Sequence, residues 1–338
     1  MNNNPLHGPD PIVSNEDQSM DSALRPRAWE EYVGQGKAKE NLRIIIDAAR
    51  KRGEAMDHVL FSGPAGLGKT TLAYLVAREL GANVRTTSGP ALEKMGDMAA
   101  ILTNLEPHEI LFIDEAHRIN RLIEEVLYPA MESRKLHLMI GKGPSARSLT
   151  IDLPPFTLIA ATTRENLLSQ PLRSRFGAIF RLEYYGENDI QKILSRSSEI
   201  LKIAVSKEGV NVLARASRST PRVANRILKR ARDFMEVQGK KEIDEGVAKQ
   251  TLDLLEIDEV GLEQHDRKLL NAIIEKFGGG PVGIGTLAAA LSEERGVIED
   301  IYEPYLMSLG FLQRTPSGRV VLPAAYDHLG TKRKGGLL

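Results

Sequence analysis

The chain has 338 residues, 27% charged and 42% hydrophobic, a composition that suits a globular protein of two or three domains. Its 45 basic and 45 acidic side chains cancel, so any contact with nucleic acid has to come from local clusters. With no Cys, disulfides, thiolate zinc sites and cysteine nucleophiles are excluded, and no apolar run approaches the roughly 18–20 residues that span a bilayer. A cytoplasmic location without a membrane partner is the expectation. Residues 1–22 are polar, carry three prolines and lack the basic and apolar regions of a secretory signal, so they read as a disordered arm.

Over 23–183, short apolar runs alternate with amphipathic helical stretches. His58–Ser62, Ile110–Ile113 and Thr157–Ala161 are apolar almost throughout, as central strands of a parallel sheet covered on both faces require. That alternation predicts an α/β doubly wound unit. Over 184–257 the strand signal is gone, and Glu187–Lys202, Lys207–Arg218, Pro221–Gln238 and Asp244–Leu255 read as helices. Thr220-Pro221 places an N-cap before a proline at the first helical position. Over 258–330 the order is helix, GGGP break, short helix, longer helix and two short strands around Thr315–Gly318, which suits a winged helix-turn-helix. Pro304 is expected to kink the longer helix, and Val297, Ile301 and Tyr305 to form its buried stripe. A basic tail, 331–338, closes the chain.

The most specific signal is Gly63-Pro-Ala-Gly-Leu-Gly68-Lys69-Thr70-Thr71, a full G-x-x-x-x-G-K-T between the strand HVLFS and the helix TLAYLVARELG. Glycines such as Gly66 and Gly68 let successive backbone N–H groups turn toward one anion, and the helix N-terminus adds its positive dipole. Lys69 is expected to reach the β- and γ-phosphates, and the Thr70 hydroxyl to bind Mg²⁺. The run Ile110–Ile113 ends in Asp114 and Glu115, which places two carboxylates at the carboxyl edge of the sheet. Asp114 suits the Mg²⁺ shell and Glu115 the polarisation of an attacking water; His117 fits a structural or capping role equally well. Thr162 or Thr163, at the end of the third strand, suits γ-phosphate sensing. Arg173 and Arg175 lie in apolar surroundings, either as surface salt-bridge partners or as a mobile cation for a neighbouring subunit.

GPAGLGKT, LFIDEAH, ATT and LRSRFG, in that order, resemble the AAA+ ATPases. RPRAWEEYVGQ, KGPSARSLTIDLPPFTLIAATTR, STPRVANRILKRARD and EPYLMSLGFLQRTPSGR narrow the resemblance to the RuvB family of bacterial Holliday-junction branch-migration motors. The resemblance covers roughly Leu24 to Leu329. It implies an AAA+ core, a helical lid and a winged-helix domain, with ATP or ADP held by Leu24, Arg25, Gly66, Lys69, Thr70, Thr71, Tyr185 and Arg222. Thr70 becomes the magnesium ligand, Arg175 the arginine finger acting across a subunit boundary, and Arg222 the sensor arginine of the lid. Arg295, Arg314 and Arg319 fall on DNA-contacting positions. The resemblance also implies a hexameric ring on the duplex arms of junction DNA, a role in recombination, repair and the SOS response, and RuvA and RuvC as partners. Three small departures from the family pattern, Ala65, Ala160 and Ser219, lie outside the groups that touch phosphate.

Between Lys135 and Leu153, apolar residues alternate on both sides of GKGPSARS, which predicts a hairpin. Its strands either lie buried within the domain or present Leu138, Ile140 and Leu149 to a partner; the resemblance implies the second, with RuvA docked there. Arg222, Arg226 and Arg230 share one face of their helix, with Val223, Ile227 and Phe234 on the core side. Arg314 and Arg319 flank the wing turn, where they are expected to reach phosphates, although winged helices also serve as protein-docking modules. An ATP-driven DNA motor is the leading reading. A nucleotide-switched DNA-binding regulator and a clamp-loader-like ATPase are the alternatives. Against the regulator stand the absence of a GAFTGA loop and the presence of Glu115; against the clamp loader stands the winged helix.

Overall fold

The computed structural model describes residues 23–140 and 147–332. The arm 1–22, the turn 141–146 of the expected hairpin and residues 333–338 of the tail lie outside the described residues. Seven strands belong to the first unit: Val59–Ser62 (β1), Val84–Ser88 (β2), Ile110–Asp114 (β3), Lys135–Ile140 (β4), Arg147–Asp152 (β5), Thr157–Thr162 (β6) and Ala178–Arg181 (β7). Five of them form a parallel sheet in the order β2-β3-β6-β1-β7. Side chains alternate between its two faces, as a period of two demands. Val59 and Phe61 of β1 join one apolar layer with helices Gly36–Arg52 (α1) and Lys69–Leu80 (α2). Leu60 joins the other, with Met95–Thr103 (α3) and Arg121–Ser133 (α4). Burial on both faces is why these strands carry unbroken apolar runs.

The hairpin β4–β5 is a separate two-stranded antiparallel sheet, with Leu138 opposite Leu149. Its base is core: Leu136 is fully buried, and Leu138 and Ile151 pack on the second apolar layer. Its outer strand is not, since Arg147 to Thr150 are exposed, Leu149 among them. The side chain of Ile140 lies outside the described residues. The two readings of the hairpin thus apply to different parts of it.

Four helices follow, Glu187–Leu201 (α5), Lys207–Arg215 (α6), Pro221–Val237 (α7) and Glu245–Leu254 (α8), and their apolar faces extend the first layer of the sheet. Helix α7 starts where Thr220-Pro221 predicts, with the Thr220 hydroxyl accepting the Val223 N–H at 3.4 Å. Helix α6 stops three residues short of its expected end. The cause is local: Arg218 and Ser219 both take left-handed backbone, at φ 52° and 53°, which no α-helix admits. Ala160 is buried in the second layer, so its methyl group is simply part of the packing.

The last unit packs Gln264–Phe277 (α9), Ile284–Leu291 (α10) and a helical run from Arg295 to Ser308 around its own apolar cluster. Strands Leu312–Thr315 (β8) and Gly318–Val321 (β9) form the wing, with Arg314 opposite Arg319. The expected stripe on the long helical run needs correction. Ile301 is 57% exposed, and the buried apolar residues are Ile298, Tyr305 and Leu306. Pro304 has no N–H for the carbonyl of Asp300, and the chain passes that point through a π-helical turn, Ile298–Tyr302. The wider turn shifts the helical phase, so spacing counted at 3.6 residues misplaces Ile301.

Ser219 carries a Cβ in a conformation that glycine adopts without steric cost, at a penalty of roughly 1–2 kcal/mol. Ser219→Gly is therefore expected to raise stability by about 0.5–1 kcal/mol, after allowance for glycine's larger unfolded-state entropy. Chemical denaturation followed by a probe in the α5–α8 unit measures it. A loss of stability contradicts the strain assignment.

Candidate active site

One cavity of about 310 Å³ opens at the carboxyl edge of the sheet, lined by the P-loop, the ends of β3 and β6, the segment before α1, and helices α5 and α7. Leu24, Arg25, Gly66, Gly68, Lys69, Thr70, Thr71, Asp114, Glu115, Thr162, Tyr185 and Arg222 all line it. Residues from 24 to 222 in the chain thus meet around one space. Gly66 and Gly68 take φ of 81° and 93°, the left-handed backbone that turns the loop's N–H groups inward. A side chain at Gly68 would also strike Tyr32, because its Cβ would lie only 2.8 Å from the tyrosine hydroxyl. Helix α2 begins immediately after and directs its N-terminal dipole at the same space.

Lys69 is buried at the mouth of that helix and donates to the carbonyls of Gly63 and Pro64 at 2.7 and 2.8 Å. Lost hydration pulls its pKa down to about 8, with Arg222 adding to the drop and Asp114 and Glu115 opposing it. One residue further on, the Thr70 hydroxyl donates to Asp114 Oδ2 at the end of β3, at 3.3 Å. Neighbouring ligands of an octahedral Mg²⁺ lie about 3 Å apart at bond lengths of roughly 2.0–2.1 Å, and both donors are hard oxygens. The pair therefore fits that ion. Among the described residues no cluster of three or more His, Asp or Glu could hold a metal by itself.

Glu115 follows β3 directly in left-handed backbone, φ 48°, and its carboxylate meets Arg118 at 3.4 Å. Strain of this kind, on the order of 1–3 kcal/mol, is retained where surrounding structure enforces it. Thr162 is buried; its hydroxyl lies 3.1 Å from His117 Nδ1 and accepts the Arg164 N–H at 3.0 Å. Burial lowers the His117 pKa below that of a free imidazole.

Other expected site residues lie elsewhere. Arg175 is outside the cavity: it donates to Glu132 and to the Pro171 carbonyl, at 2.8 and 2.7 Å, and stacks 4.8 Å over the Tyr128 ring. In the winged helix, Arg295 is exposed, but the other two arginines are held by a buried carboxylate. Arg314 binds Glu303 and keeps its side chain half exposed. Arg319 is only 7% exposed and donates to Glu303 at 2.6 Å and to Glu299 at 3.0 Å. Of the two arginines expected near phosphates at the wing tip, Arg314 is the more exposed and Arg319 is enclosed by the fold. Glu303 is fully buried and needs cationic partners, and Arg319 supplies one.

Tyr32, Arg196 and Asn225 also line the cavity and escaped the sequence. Tyr32 and Tyr185 both donate to the Leu67 carbonyl, at 3.2 and 3.3 Å, which ties the segment before α1 and the start of the helical unit to the P-loop. Arg196 of α5 donates to the Leu24 carbonyl at 2.9 Å and to Glu31 at 2.5 Å. Asn225, one turn beyond Arg222, completes that wall. Only the Arg222 and Asn225 spacing, on one helical face, offered a signal.

Three family models cover this architecture in order: the P-loop domain of the Holliday junction DNA helicase RuvB over residues 24–182, the RuvB AAA lid domain over 185–258, and the RuvB C-terminal winged helix domain over 259–330. Among solved structures, the Thermotoga maritima RuvB Holliday junction branch migration motor is 45% identical, with 92% of this chain and 99% of that one covered and a TM-score of 0.85. An arginine-to-alanine variant of the same protein matches at 45% identity, 91% and 99% coverage and a TM-score of 0.84.

A polyphosphate against Lys69 restores the charged form and raises its pKa above the free value of about 8. Nucleotide affinity is therefore expected to be flat below pH 8 and to fall as pH rises through it, by up to about tenfold per unit. Titration calorimetry at pH 9 in buffers of different ionisation enthalpy should register proton uptake on binding. Binding without proton uptake at that pH contradicts the assignment to Lys69.

Proposed function

The chain belongs to the RuvB family, and from that premise we infer that it is an ATP-hydrolysing motor that drives branch migration of Holliday junctions. The observation that carries this reading is the single cavity that gathers the P-loop, the Asp114-Glu115 strand end, Thr162 and the lid's Arg222, in a chain that also carries a winged helix. In this reading Lys69 and the P-loop N–H groups hold the β- and γ-phosphates. Thr70 and Asp114 hold Mg²⁺, which when bound neutralises charge developing between the β- and γ-phosphates. Glu115 orients the attacking water and accepts its proton, Thr162 monitors the γ-phosphate through its hydroxyl, and Arg222 closes the cavity from the lid.

Arg175 cannot serve the cavity of its own chain from its place on Glu132 and Tyr128. Its role is to enter the site of a neighbouring subunit, which requires a ring, and a hexamer is the assembly proposed. Exposed Leu149 and half-buried Leu138 on the β4–β5 hairpin support a docking surface for RuvA; RuvC joins the same junction. For DNA, exposed Arg295 and half-exposed Arg314 are the cations available to backbone phosphates, with binding that weakens as salt rises. No described helix is long and apolar enough to cross a membrane, and action on DNA in the cytoplasm, during recombination, repair and the SOS response, fits this reading.

The test is ATPase activity with and without four-way junction DNA and RuvA. Turnover should rise with both present. Arg175→Ala should bind ATP yet lose about 10³–10⁵ in rate, and mixing it with Lys69→Ala subunits should recover part of the activity. ATPase indifferent to junction DNA, or binding confined to one DNA sequence, favours the regulator instead.

A further inference from the structure

The π-helical turn Ile298–Tyr302 is gripped from two sides by arginines that belong to the two phosphate-facing loops. On one side, Arg164 follows Thr162 by two residues, and its backbone N–H donates to the Thr162 hydroxyl at 3.0 Å. Its guanidinium pairs with Asp300 and donates to the Gly296 carbonyl at 3.4 Å. On the other side, Arg218 precedes Arg222 by four residues, in the loop that enters helix α7. It makes a two-pronged contact with Asp266, at 2.5 and 3.3 Å, and donates to the Ile301 carbonyl at 3.3 Å. Its guanidinium also stacks 4.6 Å over the Tyr305 ring.

We propose that Arg164 and Arg218 are positioning residues that transmit the phosphate state of the cavity to the winged helix by holding this turn. The proposal rests on the motor reading, and neither residue touches nucleotide. Thr162 and Arg222 line the cavity, so gain or loss of a γ-phosphate shifts their backbones. Two and four residues away, that shift acts on a guanidinium already anchored to the winged helix. Asp266 is fully buried and caps helix α9 through the Glu263 N–H at 2.9 Å, so displacement of Arg218 leaves a buried carboxylate without its cation. The Arg164–Asp300 pair is looser, with about a third of the Asp300 side chain exposed. The π turn is a suitable receiver. Its hydrogen bonds are poorer than those of an α-helix, so its geometry changes at small cost, and such turns concentrate at functional sites.

The experiment compares duplex DNA affinity of the full chain in a non-hydrolysable ATP analogue and in ADP. The wild-type ratio should differ from one by a factor in the range of roughly 5–150, typical of coupled sites. Asp300→Asn should bring the ratio toward one while basal ATPase and melting temperature stay unchanged, and Arg164→Ala should do the same to the ratio. The charge-exchanged pair Arg164→Asp with Asp300→Arg should restore it. A wild-type ratio of one with ATPase intact, single variants that keep the wild-type ratio, or an exchanged pair that fails to restore it would each overturn the proposal. If the wild type neither hydrolyses ATP nor binds DNA, the motor reading fails, and this proposal with it.

Discussion

Lys69 holds a positive charge in a place with little water, and two P-loop carbonyls supply only part of the hydration it has lost. An anion with several oxygens supplies the rest. The surrounding sheet exists to keep that ammonium, the turned N–H groups of the loop and the start of helix α2 aimed at the same point. Asp114 and Thr162 come from the two strands that continue the sheet beyond β1, in the order β1-β6-β3, so the carboxylate and the hydroxyl sit at fixed distances from the lysine. Nothing in the loop by itself could set those distances.

The cavity is closed by parts that are not rigidly part of the sheet. The Leu67 carbonyl accepts two tyrosine hydroxyls, one from the segment before α1 and one from the start of the lid. Arg196 then fastens the lid back to Leu24 and Glu31. The two tyrosine bonds are modest alone, about 0.5–1.5 kcal/mol net for a neutral pair. Together with the Arg196 bonds they tie the lid to the P-loop and to the segment before α1. Arg164 and Arg218 extend the same logic to the winged helix, so that three units respond to one phosphate.

Legibility followed the range of the interactions. The P-loop, β3 and β6 could be read because their residue types are set by local geometry and by burial on both faces of a sheet. The α7 start could be read because Thr220 and Pro221 act within one turn. The π turn could not, since a helical period assumes one pitch throughout and Pro304 changes it. Arg319 could not be placed either: its partners Glu303 and Glu299 lie 16 and 20 residues earlier and meet it only after the wing folds back. Tyr32 and Arg196 act over still longer separations, and a lone tyrosine or helical arginine carries no mark of such a role. Family resemblance named more of the cavity than the residues alone did, because it carries tertiary information that spacing does not.

The central claim is that hydrolysis in this cavity moves the branch point of a four-way junction, and a strand-exchange assay tests it most directly. A synthetic junction with homologous arms is incubated with RuvA, the chain, Mg²⁺ and ATP, and conversion to duplex products is followed. The wild type should convert the junction, whereas Glu115→Gln should bind ATP and junction yet leave it unconverted. Conversion by Glu115→Gln at the wild-type rate, or by the wild type with a non-hydrolysable analogue, would contradict the account.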